Sequence, residues 1–572
     1  MLPTSPRPHN RSRRNADGGA LTPIEADSLL AAFPRARTQL LPMLIAVQER
    51  DGYLSEAALS AIAHHAHVPE SEVFGVATSY SELRFSPPAA RAVTVCIGLS
   101  CQLAGARDLA AAVAADLPDG WAVEEHPCRF RCDAAPVAAI DGAYVDRATP
   151  DAVRAAVAPP DDPPRAERPT PPPRDGEVRR LLARRGRIDP DSIDDAIALG
   201  AYDGWRAAHA MAPEAIVDAV DAAGLIGRGG AYFPVAAKWR GARAHPGPRY
   251  LVVNAEEGEP GVFKDRYLVE GDPHLLVEGV LIAARAVEAA AVYLYVNGEA
   301  TLMAERVTRA LDQARERGIA AGAPPIELRR GAGGYVCGEE SVILNSIEGE
   351  RAVPRLRPPF PVESGLWGRP TVINNVETLC NLPLILRDGA DAFRSAGTAE
   401  HPGTKLVCLS GAVRAPAVYE VPFGTTLRNI FETIGGGAPE GRTVRALLCG
   451  GPSGTLLPPS AWDAPLAPGR LDAQGSSPGA GGIVAIDESM SIRDVVRELT
   501  AYNARESCGK CTPCREGNAR MVELLDARAP DAAPQLDELA EAVASASLCG
   551  LGQMAPLPYL SARRYFAAEL ES

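Results

Sequence analysis

Four cysteines around residue 510 constrain this chain more than any other feature. Cys508, Cys511 and Cys514 are spaced C-x2-C-x2-C, and Cys549 follows about ten helical turns later. Three thiolates on one tight loop and a remote fourth suit the corners of a [4Fe–4S] cluster. Four-cysteine zinc is the alternative, although zinc usually takes two paired CxxC hairpins. A second set pairs Cys96 with Cys101 at C-x4-C and Cys128 with Cys132 at C-x3-C. Two pairs on two loops suit the two irons of a [2Fe–2S] rhombus, again with zinc as the alternative. Cys337, Cys380, Cys408 and Cys449 stand singly among apolar residues and read as small buried hydrophobes.

A chain of 572 residues is too long for one ordinary domain. Its 46% apolar content can build several cores. The net charge of −14 argues against a nucleic-acid binder, which needs a basic surface. The most apolar long stretch, Leu275 to Val296, is broken by Glu278, Arg285 and Glu288. It reads as a buried helix running into a strand, not a membrane span. The arginines at 7, 11, 13 and 14 precede no apolar run, so no secretion signal is expected. The expectation is a cytoplasmic protein without membrane insertion, in which disulfides are the wrong first guess for the cysteines.

Periodicity divides the chain. Residues 1–25 read as a disordered tail. Residues 26–158 begin with a helical bundle, seen in the spacing of Leu40, Leu41, Leu44, Ile45, Val47, Leu59 and Ile62. A strand Ala92 to Ile97, a helix Gly105 to Asp116, a β-stretch ending near Cys128 and a hairpin over 137–145 follow as a small α/β unit. Residues 159–176, PPDDPPRAERPTPPPRDG, read as a semi-rigid linker. Residues 177–404 alternate helix, Gly-rich loop and strand, with strands at Tyr250 to Asn254 and Val292 to Val296. Residues 405–490 carry short β runs, Leu406 to Ser410 and Arg445 to Cys449 among them. Residues 491–572 read as helical.

Four polar loops fall in the third segment. Gly224-Leu-Ile-Gly227-Arg228-Gly229-Gly230-Ala-Tyr-Phe233 has the glycine density that lets backbone N–H groups approach a phosphate or a flat ring, with Lys238 close behind. Asn254-Ala-Glu256-Glu257-Gly258-Glu259-Pro-Gly261 follows a strand directly. Its crowded carboxylates read either as a solvated acidic turn or as acceptors for ribose, flavin or nicotinamide donors. Gly331-Ala-Gly-Gly-Tyr335-Val-Cys-Gly338-Glu339-Glu340 and Thr371-Val-Ile-Asn374-Asn375-Val-Glu377-Thr378 repeat this logic, with ordinary turns as the alternative.

These loops in this order, ahead of C-x2-C-x2-C…C, resemble the flavin-bearing NADH dehydrogenase subunit of respiratory complex I. They equally resemble the diaphorase subunits of soluble NAD-linked hydrogenases and formate dehydrogenases. The resemblance covers residues 177–572. The first cysteine set resembles the thioredoxin-like [2Fe–2S] subunit of the same enzymes, here fused in one chain, and 405–490 resembles their β-grasp, soluble-ligand-binding insert. The implied fold is α/β and multi-domain: helical bundle with thioredoxin-like domain, Rossmann-like FMN-binding domain, β-grasp domain and helical [4Fe–4S] domain. The resemblance implies FMN lined by Gly227, Arg228, Gly229, Lys238, Asn254, Glu256, Glu257, Tyr335, Gly338, Glu339, Asn374 and Asn375. It implies NAD(H) contacted by Phe233, Glu259, Glu340 and Phe360. Cys96, Cys101, Cys128 and Cys132 would hold the [2Fe–2S] cluster, and Cys508, Cys511, Cys514 and Cys549 the [4Fe–4S] cluster.

The chain departs from the family pattern at Tyr232, where Gly is frequent, at Glu256, where Asp is, and at Arg357, where Lys is. The implied activity is hydride exchange between NAD(H) and FMN, then one-electron transfer to partner subunits, with no side chain assigned a catalytic role. The run Ser547-Leu-Cys549-Gly-Leu-Gly-Gln553 and the fused [2Fe–2S] domain resemble the soluble formate dehydrogenase and hydrogenase diaphorases more than complex I, with the β subunit of a formate dehydrogenase preferred. The expected partner is therefore a molybdenum- or tungsten-pterin catalytic subunit. A hydrogenase diaphorase, a complex I subunit and a zinc-stabilised scaffold remain alternatives.

Overall fold

A run of strand formers becomes a strand only where a neighbour can take its hydrogen bonds, and the chain meets this condition in three separate sheets. The structure, a computed structural model, describes residues 28–157, 167–527 and 532–571. The tail expected over 1–25 and the first part of the expected linker lie outside these residues.

The helices Leu40–Asp51, Glu56–Ala66 and Glu70–Ala77 form the expected bundle around Leu40, Leu44, Ile62 and Val73. The chain then enters a four-stranded sheet of β1 (Arg91–Cys96), β2 (Trp121–His126), β3 (Ala138–Ile140) and β4 (Ala143–Val145). Its order is β2-β1-β3-β4, with β2 parallel and β3 antiparallel to β1, which is the thioredoxin-like arrangement. Residues 167–176 form neither helix nor strand but lie against the body. Arg168 is 8% exposed, donates to the Phe130 carbonyl and stacks over the Phe263 ring.

The central sheet is parallel throughout, in the order β7-β6-β5-β8. Its strands are β5 (Arg249–Ala255), β6 (Ala289–Val296), β7 (Ile326–Arg330) and β8 (Thr371–Asn375). The helix Pro273–Val287 leads into β6, and all of it but Arg285 is buried, as the broken apolar stretch suggests. Among the described residues no helix is long and apolar enough to cross a membrane.

The third sheet, β10-β9-β13-β11-β12, is mixed. It comprises β9 (Thr404–Gly411), β10 (Ala417–Pro422), β11 (Val444–Cys449), β12 (Thr455–Leu457) and β13 (Gly482–Asp487). Helices make up the remainder, among them Ile492–Arg505, Asn518–Ala527, Ala532–Ala546 and Leu557–Tyr565. The solitary cysteines at 337, 380, 408 and 449 are buried to 1% exposure or less, as small hydrophobes are.

Candidate functional site

In a parallel sheet the crevice beyond the strand C-termini, where chain order reverses, is the natural nucleotide site. Here that point lies between β5 and β8, because β6 and β7 extend the sheet on the other side. The register sets Val253 beside Asn374 and Asn254 beside Asn375, so two of the four loops leave the sheet together. The other two pack on them. Asn254 Nδ2 donates to the Gly338 carbonyl at 2.9 Å. A Cβ placed on Gly229 would stand 3.0 Å from the Asn375 Cβ, so the loop at 229 approaches as closely as a glycine permits. All four polar loops therefore meet at one edge.

The acidic loop is not a solvated turn. Glu256 is fully buried, accepts from Asn297 Nδ2 at 3.0 Å through Oε1, and leaves Oε2 without a hydrogen-bond partner. Burial pushes its carboxyl up to about 8, partly opposed by the Arg266 charge. Glu259 likewise has an unpartnered buried Oε1, and burial pushes it up to about 8 against the attraction of Lys264 and Lys405. Orphaned acceptors at a nucleotide edge fit the hydroxyl and amide donors of a flavin and a dinucleotide.

Several side chains that the sequence offers as ligands also brace the pocket. The Arg228 guanidinium is fully buried and donates to the carbonyls of Ile226, Pro402 and Thr404 at 2.7–3.1 Å. It staples the glycine loop to the start of β9. Glu257 accepts from the Asp265 and Arg266 amides at 2.5 and 2.9 Å. Glu339 caps the helix Glu340–Glu348 through the amides of Ser341 and Val342. Asn374 accepts from Trp239 Nε1 at 2.9 Å. Lys238 reaches Glu340 at 3.4 Å and the Ile373 carbonyl at 3.2 Å, and Arg357 bridges Glu339 and Glu340. Tyr232 turns its hydroxyl to the Gly479 carbonyl at 2.7 Å, so its bulk is taken up against the third-sheet unit. Phe233 and Phe360, 53% and 49% exposed, are large rings left open for stacking.

A charged network behind Asn375 escapes sequence reading. Lys264 Nζ lies 2.7 Å from Asp265, 3.0 Å from Glu377 and 3.3 Å from Asn375 Oδ1. Glu377 also takes Lys405 Nζ at 2.5 Å. Burial lowers Lys405 to about 8, while Lys405 and Lys264 hold Glu377 below its ordinary range despite burial. In sequence the run Lys264-Asp265-Arg266 looks solvent-facing; its partners are distant in the chain.

Members of each cysteine set lie near one another. Cys96 lies within hydrogen-bonding reach of Cys101 and Cys128, and the Cys128 and Cys132 sulfurs are 3.9 Å apart. Two thiolates on one tetrahedral metal at about 2.3 Å stand about 3.8 Å apart. Among the described residues no three His, Cys, Asp or Glu side chains are arranged to hold one metal ion. Cys132 receives the Gly261 backbone N–H, which brings this set against the acidic loop. In the second set Cys508, Cys511 and Cys514 feel one another's charge, and Cys549 feels that of Cys508. Gly552 packs within 3.0 Å, measured from a built Cβ, of the Cys514 Cβ. Tyr335 joins the flavin edge to this region: its amide donates to Glu506 at 2.8 Å, and its ring lies 5.8 Å from that of Tyr502.

Comparison with known proteins agrees with this layout. Residues 26–159 match the thioredoxin-like [2Fe-2S] ferredoxin family, 220–384 the Nuo51 FMN-binding domain and 406–456 the SLBB domain. Residues 494–572 match the NADH-ubiquinone oxidoreductase-F iron-sulfur binding region. The NADP-reducing hydrogenase subunit HndC of Solidesulfovibrio fructosivorans is 42% identical over 409 residues, 69% of this chain and 83% of its own length. An F-type subunit of the NADH-quinone oxidoreductase of Rhizobium meliloti is 40% identical over 66% of this chain and 94% of its own. A chain of NAD+-reducing [NiFe]-hydrogenase in the H2-reduced state superposes with TM-score 0.80 at 32% identity, covering 94% of each chain.

Proposed function

Since the chain belongs to the family of NADH-binding subunits that carry FMN and iron–sulfur clusters, and that includes HndC and the F-type subunits of NADH-quinone oxidoreductase, we propose that it is the electron-input subunit of a multi-subunit NAD-linked oxidoreductase. The observation that carries this reading is the meeting of the four loops at the β5–β8 crevice, with the Tyr335 segment leading to the Cys508 loop. Bound FMN would supply hydride exchange with NAD(H) and pass electrons singly to the clusters. The chain's own residues supply position. The backbone of Gly227–Gly230 and the Asn254 and Asn375 amides would hold the flavin, Glu256 and Glu259 would accept from its donors and from the dinucleotide, and Phe233 and Phe360 would cover the dinucleotide. Cys96, Cys101, Cys128 and Cys132 would ligate the [2Fe–2S] cluster; Cys508, Cys511, Cys514 and Cys549 would ligate the [4Fe–4S] cluster and form the outlet.

The proposed partner is a formate-oxidising molybdenum- or tungsten-pterin subunit; the Ser547–Gln553 run and the fused [2Fe–2S] module support a soluble diaphorase, of the formate dehydrogenase or hydrogenase kind, over a complex I subunit. A hydrogenase partner is the second reading, favoured by the whole-length likeness to the NAD+-reducing [NiFe]-hydrogenase chain. Metal analysis of the co-purified complex separates them: molybdenum or tungsten supports the first, nickel the second. Cys511→Ala tests the outlet. FMN should stay bound and NADH should still bleach it, while electron delivery to the partner stops. Delivery that survives the substitution would overturn the assignment.

A further inference from the structure

The flavin pocket is not built by the central sheet alone. The segment Tyr80–Glu82, at the end of the N-terminal helical bundle, reaches into the Gly331–Gly334 loop. Tyr80 donates its hydroxyl to Ser346 Oγ at 2.7 Å, and Ser346 also meets the Tyr295 hydroxyl at 2.8 Å. The Glu82 amide donates to the Ala332 carbonyl at 3.0 Å, and Gln48 Nε2 holds the Glu82 carbonyl at 2.7 Å. The Glu82 side chain then fills the space glycines leave. A Cβ on Gly333 would stand 2.6 Å from its Cγ, and one on Gly298 2.8 Å from its Oε2. On the far side of the loop, a Cβ on Gly331 would stand 2.9 Å from the unpartnered Glu256 Oε2.

We propose that Glu82 is a positioning residue of the flavin pocket, supplied by the N-terminal module: it wedges the Gly331–Gly334 loop in place at Gly333, while Glu256 meets the same loop at Gly331. This rests on the assignment of Glu256 to the FMN pocket. The groups facing the pair come from every neighbouring element. Glu299 from the turn after β6, Arg266 from the helix Lys264–Gly271 and Arg129 from the Cys128 loop face Glu82. Arg266, Glu299 and the Asn297 amide face Glu256, as do Tyr80, Tyr295 and Cys337. Burial first, then the charges of Glu299 and Glu256, pushes Glu82 well above the ordinary carboxylate range.

The test is release of FMN from the flavin-loaded full-length chain, followed by recovery of flavin fluorescence. Glu82→Gln, which keeps the shape of the wedge, should release FMN at the wild-type rate; release accelerated as much as by removal of the whole side chain would overturn a wedge made by shape. Glu82→Ala should release FMN about fivefold faster, the loss of roughly 1 kcal/mol of loop restraint. An unchanged release rate would overturn the wedge. Wild-type chain that takes up no FMN would overturn the pocket assignment itself.

Discussion

Arg228 shows how a residue of ligand type becomes part of the frame. Three backbone carbonyls from two segments depend on its guanidinium, and the Phe423 ring lies 4.6 Å beneath it. Arg228→Ala leaves buried acceptors without donors, each costing about 1–3 kcal/mol. The variant should melt several degrees lower and lose FMN together with its fold; calorimetry with and without FMN checks this. Glu256 and Glu259 make a second prediction at this scale. Both carboxyls rise from an ordinary 4.5 to about 8 on folding. The folded chain then holds more protons than the unfolded one between these values, so flavin-free stability should fall as pH rises from about 4.5 to about 8. Glu256→Gln and Glu259→Gln should each flatten that slope in thermal unfolding. A slope identical to wild type in both variants would show that neither carboxyl is protonated in the native state.

At the scale of elements, β8 and the helix Val376–Cys380 carry the site because one residue serves both. Asn375 ends the strand, accepts from the Glu377 amide at 3.1 Å as the helix N-cap, and donates to Asp265 at 2.7 Å. Asn375→Ala removes a cap worth about 1 kcal/mol and exposes the Lys264–Asp265 pair to a mispacked neighbour. The expected result is FMN affinity lost out of proportion to a small drop in melting temperature; calorimetry and flavin titration on the same variant measure the two. Strands such as Tyr250–Asn254 and the hairpin over 137–145 are legible in sequence, because alternation and turn residues are local. The buried state of Lys264-Asp265-Arg266 is not legible. A charged run reads as solvated until Glu257, Glu377 and Lys405 arrive from elsewhere in the chain.

At the scale of the molecule, the N-terminal module is part of the flavin unit, although a Pro-rich stretch separates the two in sequence. Cys128, Phe130 and Cys132 belong to the same apolar cluster as the helix Pro273–Val287. Arg129 and His126 converge on Glu299, and Arg266 stacks 3.9 Å over Phe130. Glu299→Gln should weaken this junction, with faster amide hydrogen exchange in residues 126–132 while the third sheet keeps its protection. Equal exchange in both variant and wild type would assign the junction to apolar packing alone. Cysteine sets, loop order and the class of each segment can be read from the chain, since thiol spacing, glycine density and hydrophobic period act over a few residues. Packing in space settles which carboxylates are buried without partners, that Arg228 and Glu257 face inward as braces, and that Glu82 reaches the Gly331–Gly334 loop from another module. Those outcomes depend on burial and on long-range partners, and a side chain's charge state is set by the groups that surround it in space.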